Sequence, residues 1–165
     1  MSAEKKISAI VPAYNEADRI ANVLAVLTKT PLLDEIIVVD DHSKDGTSRV
    51  ASQYNVKIIR NKKNLGKSHS VDKAVKESKG DILFFCDADL VGLTPEIVTK
   101  IIEPVVEGKV DMYIGGRKNK LDQVVSEKFI QEISGERALK RELWEKMPKE
   151  FKHRFRMEAG LNHIA

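Results

Sequence analysis

Short apolar runs alternate with helix-period segments along most of this chain, and that alternation limits the fold more than any other feature. Ile7–Val11 reads as a strand ending at Pro12. Ile20, Val23, Leu24 and Leu27 then recur at i, i+3, i+4, i+7, one face of a helix, with Asp18 or a residue just before it as its predicted cap. Glu35–Val39 is a second strand, followed by a turn and a helix bearing Val50 and Tyr54. Val56–Ile59 is a third strand, and Val71, Ala74, Val75 and Ser78 mark a helix that Gly80 ends. Ile82–Cys86 is apolar on both faces, as a central parallel strand must be. Thr94-Pro95-Glu96 starts another helix, which Pro104 should kink or end. Met112–Ile114 is a fifth strand, and a long helix is predicted from about 126 to 147, with a break near Gly135. Strand–helix–strand connections are right-handed, so the pattern predicts an α/β fold: a Rossmann-like, open, mostly parallel sheet with helices on both faces.

Length and composition fit one domain with a real core: 165 residues, 42% hydrophobic and 32% charged. The net charge of +3 is too small to argue for nucleic acid, and none is expected as a partner. The single cysteine, Cys86, excludes an internal disulfide and suits a core thiol in a cytoplasmic setting. No apolar stretch is long enough to span a bilayer. Residues 117–165 carry 12 Lys+Arg against 8 Asp+Glu, which suits either an anionic contact at that end, such as the inner membrane face, or a solvated helical surface.

Open α/β sheets bind ligands beyond the carboxyl ends of their strands. There the sequence places Pro12, Tyr14, Asn15 and Glu16 after strand one, Asp40 and Asp41 after strand two, Asp87-Ala88-Asp89 after strand four, and Arg117 after strand five. Two carboxylates one residue apart would repel unless a hard divalent cation joined them. Asp87 and Asp89 are therefore the predicted ligands of Mg²⁺ or Mn²⁺, with a nucleotide diphosphate supplying further oxygens. Asp40 suits a nucleobase or ribose; the competing reading is helix capping, which Ser43 or Asp45 already offers. Gly66-Lys67-Ser68 looks like the end of a P-loop, but Asn61 stands where that motif needs glycine. Lys67 can still reach a phosphate from a helix N-terminus.

Taken in order, Val11-Pro12-Ala13-Tyr14-Asn15-Glu16, Val39-Asp40-Asp41 with Ser43 and Asp45-Gly46-Thr47, Asn64-Leu65-Gly66-Lys67 and Asp87-Ala88-Asp89 resemble the family 2 glycosyltransferases of the GT-A fold, over residues 7–117. Ile114-Gly115-Gly116-Arg117, Ser134-Gly135-Glu136-Arg137 and Phe155-Arg156-Met157-Glu158 resemble, more loosely, the polyprenyl-phosphate sugar synthases of the dolichyl-phosphate-mannose group. The resemblance implies transfer of a sugar from a UDP- or GDP-sugar, with inversion at the anomeric carbon. It implies that Pro12, Tyr14, Glu16 and Asp40 surround base and ribose, and that Asp87 and Asp89 hold the metal. Arg117 and Arg137 would bind donor or acceptor phosphate, and Glu158 would shape the acceptor side or act as base. The acceptor implied is a lipid phosphate at the membrane surface, although Glu136 stands where that group has an aromatic or apolar residue. Relatives of this kind continue beyond a point equivalent to Ala165, so residues 1–165 are expected to be one domain truncated at its C-terminus.

Three other functions compete. A sugar-nucleotidyltransferase would want a Gly-rich, Arg-containing loop after strand one, where this chain has Pro12-Ala13-Tyr14-Asn15-Glu16. A phosphatase using Asp87 as nucleophile would carry that motif after its first strand. A non-catalytic nucleotide-sugar-binding module has the same motifs as an enzyme and differs only in turnover.

Overall fold

A computed structural model of the protein describes residues 5–115 and 136–148. Among them, six strands form one sheet in the order β3-β2-β1-β4-β6-β5. The strands are β1 (Ile7–Ala13), β2 (Glu35–Asp40), β3 (Lys57–Arg60), β4 (Ile82–Phe85), β5 (Met112–Ile114) and β6 (Arg137–Lys140). The helices are α1 (Ile20–Leu27), α2 (Thr47–Ala51), α3 (Lys67–Glu77), α4 (Pro95–Val106) and α5 (Arg141–Lys146). β1 pairs in parallel with both β2 and β4, in registers that set Ile10 opposite Ile37 on one side and Phe85 on the other. β6 runs antiparallel between β4 and β5.

Every residue of β1 is buried, because both faces of the sheet are covered. Ala9, Val11, Val38 and Phe84 face one layer, packed by α1, α2 and α4. Ile10, Ile37, Leu83 and Phe85 face the other, packed by α3 and α5. Trp144 of α5 meets Phe85 edge-on with ring centroids 5.2 Å apart. The helix starts follow their local chemistry unevenly. Thr94 caps α4 by accepting from the Ile97 amide at 3.3 Å, with Pro95 in the first turn. Asp18 does not cap α1; the Glu16 carbonyl accepts from the Arg19 and Ile20 amides instead. Pro104 sits in the last turn of α4, which runs on to Val106.

Two departures from the sequence pattern matter for the site. Residues 137–140, inside the predicted long helix, are a strand, and among the described residues of that stretch Arg141–Lys146 is the helical part. Ala138 and Leu139 are both fully buried, one against each layer, so closing the gap between β4 and β5 outweighs local helix preference. Gly80 is not a left-handed helix cap: it passes so close to β1 that an added Cβ would lie 2.4 Å from Ser8 Oγ and 2.6 Å from the Ser8 amide nitrogen. Its amide donates to Ser8 Oγ at 2.8 Å. Gly80→Ala should therefore cost roughly 1–3 kcal/mol by overpacking. Urea unfolding checks it, and a cost under ~0.5 kcal/mol would show that the β1–Gly80 contact yields easily.

Candidate nucleotide-sugar site

From β1 the chain moves outward through β2 and β3, then returns by α3 to β4 on the other side of β1. The strand order thus reverses between β1 and β4, and a crevice opens beyond their carboxyl ends. A cleft of about 250 Å³ lies there, lined by Pro12, Ala13, Tyr14 and Glu16 after β1, Asp41 after β2, Lys67 and Ser70 of α3, and Asp87, Ala88 and Asp89 after β4. Eight of the residues singled out in the sequence therefore meet in one place: Pro12, Tyr14, Glu16, Asp41, Lys67, Asp87, Ala88 and Asp89. Ser70 is the lining residue that the sequence left unmarked; its only signal is a position one turn beyond Gly66-Lys67.

The loops that carry these groups hold one another. The Asn15 amide donates to Ser43 Oγ at 2.9 Å, the Glu16 amide to Thr47 Oγ1 at 2.9 Å, and the Ala17 amide to Asp45 Oδ2 at 3.0 Å. In return, the Lys44 amide donates to Asn15 Oδ1 at 2.9 Å. Ser43, Asp45 and Thr47 thus staple the loop after β1 to the loop after β2, rather than serving only as caps of α2. Asn15 and His42 carry positive φ of 54° and 68°. Such backbone is uncommon outside glycine and belongs here to loops pinned on both sides.

Asp40 and Asp41 have different tasks, and here one expectation is corrected. Asp40 is 1% exposed and lies outside the cleft lining. Its Oδ1 accepts from the Ser43 amide at 2.7 Å and its Oδ2 from Ser48 Oγ, with Arg60 Nε 3.7 Å away. Burial alone would push this carboxyl up, but the hydrogen bonds from Ser43 and Ser48 outweigh it and hold Asp40 below the usual carboxylate range. Both oxygens thus hold the segment after β2, and Asp40 lies apart from the groups that line the cleft. Asp41, 4% exposed, accepts from Asn61 Nδ2 at 2.8 Å and the Leu65 amide at 2.9 Å on Oδ1, and from the Gly66 amide at 2.7 Å on Oδ2. Asn61 also donates to Ser70 Oγ at 2.9 Å and accepts from Lys73 Nζ at 3.0 Å. Asp41 therefore anchors the segment that delivers Lys67.

Asp40→Asn should destabilise the fold by about 1–3 kcal/mol, since one bonded oxygen becomes an NH₂ that meets a donor. A carboxylate with a depressed folded pKa contributes stability above its unfolded value near 3.9 and loses it as pH falls through the folded value. The variant's deficit should accordingly be full at pH 7 and shrink below about pH 4. Denaturant unfolding across that range checks it; a deficit that is constant with pH would remove the charge from the account.

At the end of β4, Ala88 is buried in the core between half-buried Asp87 and exposed Asp89. Lys67 Nζ lies 2.7 Å from Asp87 Oδ1. Burial raises the pKa of Glu16; Arg19, with Nε 2.7 Å from Glu16 Oε2, opposes this, and the Asp89 charge adds to it. The cleft is therefore acidic and rich in hard oxygen donors, and it already attracts a cationic side chain. That donor set fits Mg²⁺ or Mn²⁺. Among the described residues no three His, Cys, Asp or Glu side chains gather as a metal site, so a metal on Asp87 and Asp89 needs other ligands, such as phosphate oxygens.

The profile of glycosyl transferase family 2 matches residues 8–163. The chain belongs to glycosyl transferase family 2. Within the family it is 35% identical over 140 residues to the dolichol-phosphate mannosyltransferase of Pyrococcus furiosus, covering 81% of this chain and 39% of that protein. It is 35% identical over 112 residues to human dolichyl-phosphate beta-glucosyltransferase, covering 58% of this chain and 35% of that one. Glucosyl-3-phosphoglycerate synthase from Mycobacterium tuberculosis, solved with Mn²⁺, UDP and glucosyl-3-phosphoglycerate, superposes with a TM-score of 0.81 at 26% identity, over 97% of this chain and 64% of its own. The chain thus spans less than two thirds of the length of these relatives. The fold is that of the GT-A glycosyltransferases.

Arg137 corrects a second expectation. No helix restarts beyond Gly135 to present it at a crevice: Arg137 opens β6, opposite Phe85 and Ile114, and is fully buried. A fully buried side chain is not an exposed grip for phosphate. Arg117 lies outside the described residues, as does the whole of Phe155-Arg156-Met157-Glu158. Among the described residues no helix is long and apolar enough to cross a membrane.

Proposed function

We propose that this protein transfers a sugar from a nucleoside-diphosphate sugar to a phosphate-bearing acceptor, with Mg²⁺ or Mn²⁺ at Asp87 and Asp89. The observation that carries this reading is the single cleft at the sheet's switch point, where Asp87, Asp89, Lys67, Pro12 and Tyr14 all present groups. The bond from the anomeric carbon to the β-phosphate oxygen breaks, and the acceptor oxygen takes its place. The metal, when bound, supplies Lewis-acid stabilisation of the charge left on the nucleoside diphosphate. Asp87 and Asp89 hold it, and Lys67 adds a positive charge at the same oxygens. Pro12 and Tyr14, the latter 45% exposed, offer apolar surface to a base. Arg117 is assigned to a phosphate, and Glu158 to the acceptor side, as shaper or base.

The relatives named above as dolichol-phosphate and dolichyl-phosphate transferases, and the synthase bound to glucosyl-3-phosphoglycerate, share a phosphate on the acceptor side. A lipid-phosphate oxygen that itself attacks is already an anion and needs positioning rather than deprotonation, whereas 3-phosphoglycerate attacks through a hydroxyl whose proton must pass to a base, the role assigned to Glu158. UDP in the solved neighbour supports a UDP-sugar donor, with GDP-sugars as the alternative. The test offers the full-length protein UDP- and GDP-sugars with Mn²⁺ and three acceptors: a short-chain polyprenyl phosphate, the same polyprenol without phosphate, and 3-phosphoglycerate. Transfer to either phosphate acceptor is expected. Preference for the neutral alcohol, or hydrolysis without transfer to any of them, would overturn the proposal.

A further inference from the structure

Among the described residues that line the cleft, four are carboxylates (Glu16, Asp41, Asp87 and Asp89) and Lys67 is the one cation. Asp41 is satisfied by three donors, two of them backbone amides. Asp87 instead has the Lys67 ammonium on Oδ1 at 2.7 Å, with the two side chains 29% and 30% exposed. The backbone at Lys67 is fixed. Gly66 before it holds φ of 89°, in the left-handed region that favours glycine, and its amide is bound by buried Asp41. Ser68, Ser70 and Val71 after it are buried in α3. With the backbone anchored, the four-carbon stem of Lys67 carries a compact charge that re-aims at little cost. A divalent cation on Asp87 Oδ1 and an ammonium on the same oxygen exclude one another by charge and by volume.

We propose that Lys67 is the resident counter-ion of Asp87. It holds that oxygen in the nucleotide-free protein, gives way to the metal, and turns to the diphosphate that arrives with it. This rests on the reading of Asp87 and Asp89 as metal ligands. Its consequence is thermodynamic coupling. Without nucleotide the metal must displace a bonded cation and leave it beside a divalent charge, so it binds weakly. With nucleotide, the displaced ammonium gains a new anionic partner, so metal and nucleotide each strengthen the other's binding by the same factor. Lys67 thereby keeps the metal site largely empty until a nucleoside diphosphate is present.

The experiment is a Mn²⁺ titration followed by electron paramagnetic resonance, with and without saturating UDP, on the wild type, Lys67→Met and Lys67→Arg. Lys67→Met removes the charge and keeps the length; Lys67→Arg keeps the charge. Lys67→Met should bind Mn²⁺ alone about tenfold more tightly, some 1.4 kcal/mol, while the enhancement produced by UDP falls at least about tenfold. Lys67→Arg should stay near the wild type in both. Unchanged or weaker Mn²⁺ binding by Lys67→Met, where the wild type shows UDP-enhanced binding, overturns the counter-ion role and leaves the metal site standing. Absence of Mn²⁺ binding by the wild type, even with UDP, overturns the metal site and this inference together.

Discussion

Asp89→Ala should abolish Mn²⁺-dependent binding of UDP or GDP, by at least about 100-fold, and leave the unliganded protein folded. Asp89 is exposed at the end of β4, and truncating an exposed side chain typically changes stability by no more than ~0.5 kcal/mol. The core underneath is held by Ala88 and Leu90, which the substitution does not touch. The metal, in contrast, loses one of its two assigned protein ligands. Isothermal titration with nucleotide and Mn²⁺ reads the affinity directly. A thermal melt reads it indirectly: at ligand near 100 times the dissociation constant the wild type gains about 2.7 kcal/mol, and the variant should gain almost none. Equal affinity in the two proteins would remove Asp89 from the metal site.

Asp41→Ala should be the most damaging substitution in the loops around the cleft. It leaves the Leu65 and Gly66 amides and the Asn61 side chain without their acceptor, at a buried position. Stranding buried donors costs about 1–3 kcal/mol each before relaxation, and water entering the opened loop should return part of it. A net loss of about 3–5 kcal/mol is expected, a fall in Tm of roughly 10 °C for a chain of this size. Asp41→Asn keeps one acceptor oxygen and should lose roughly half as much. Lys67 loses its anchor with Gly66, so nucleotide affinity should fall along with stability in Asp41→Ala. A Tm within about 3 °C of the wild type would show that the segment from Asn61 to Gly66 is held by something other than Asp41.

The contrast between the two neighbouring aspartates shows where sequence stops being informative. Asp40 and Asp41 are the same residue type at the same strand end, and either suits a ligand. Chain direction decides between them. Asp40 ends β2 and turns toward Ser43 of its own loop and Ser48 of α2, whereas Asp41, one residue on, faces the crossover from β3 to α3. Arg137 teaches the same lesson. Its segment has ordinary helix formers, Ala138, Leu139 and Lys140, but the open flank of β4 takes it as a strand, and the arginine is buried with it.

The sequence by itself determined the layered α/β architecture and the location of the site. Both depend on local quantities: runs of β-branched residues, 3.6-residue periodicity, the Thr94-Pro95 helix start, and acidic pairs placed where apolar strands end. Once β1 and β4 are adjacent parallel strands, their carboxyl ends must share a crevice, so Tyr14 and Asp89 meet although 75 residues separate them. Only the tertiary structure decided which polar groups on the loops around that crevice remain for a ligand. Asp40, Ser43, Asp45 and Thr47 are engaged by the loops themselves, and Lys67 lies against Asp87. Hydrogen bonds between distant loops depend on distances of a few tenths of an ångström, and no sequence spacing encodes those distances until the sheet has brought the loops together.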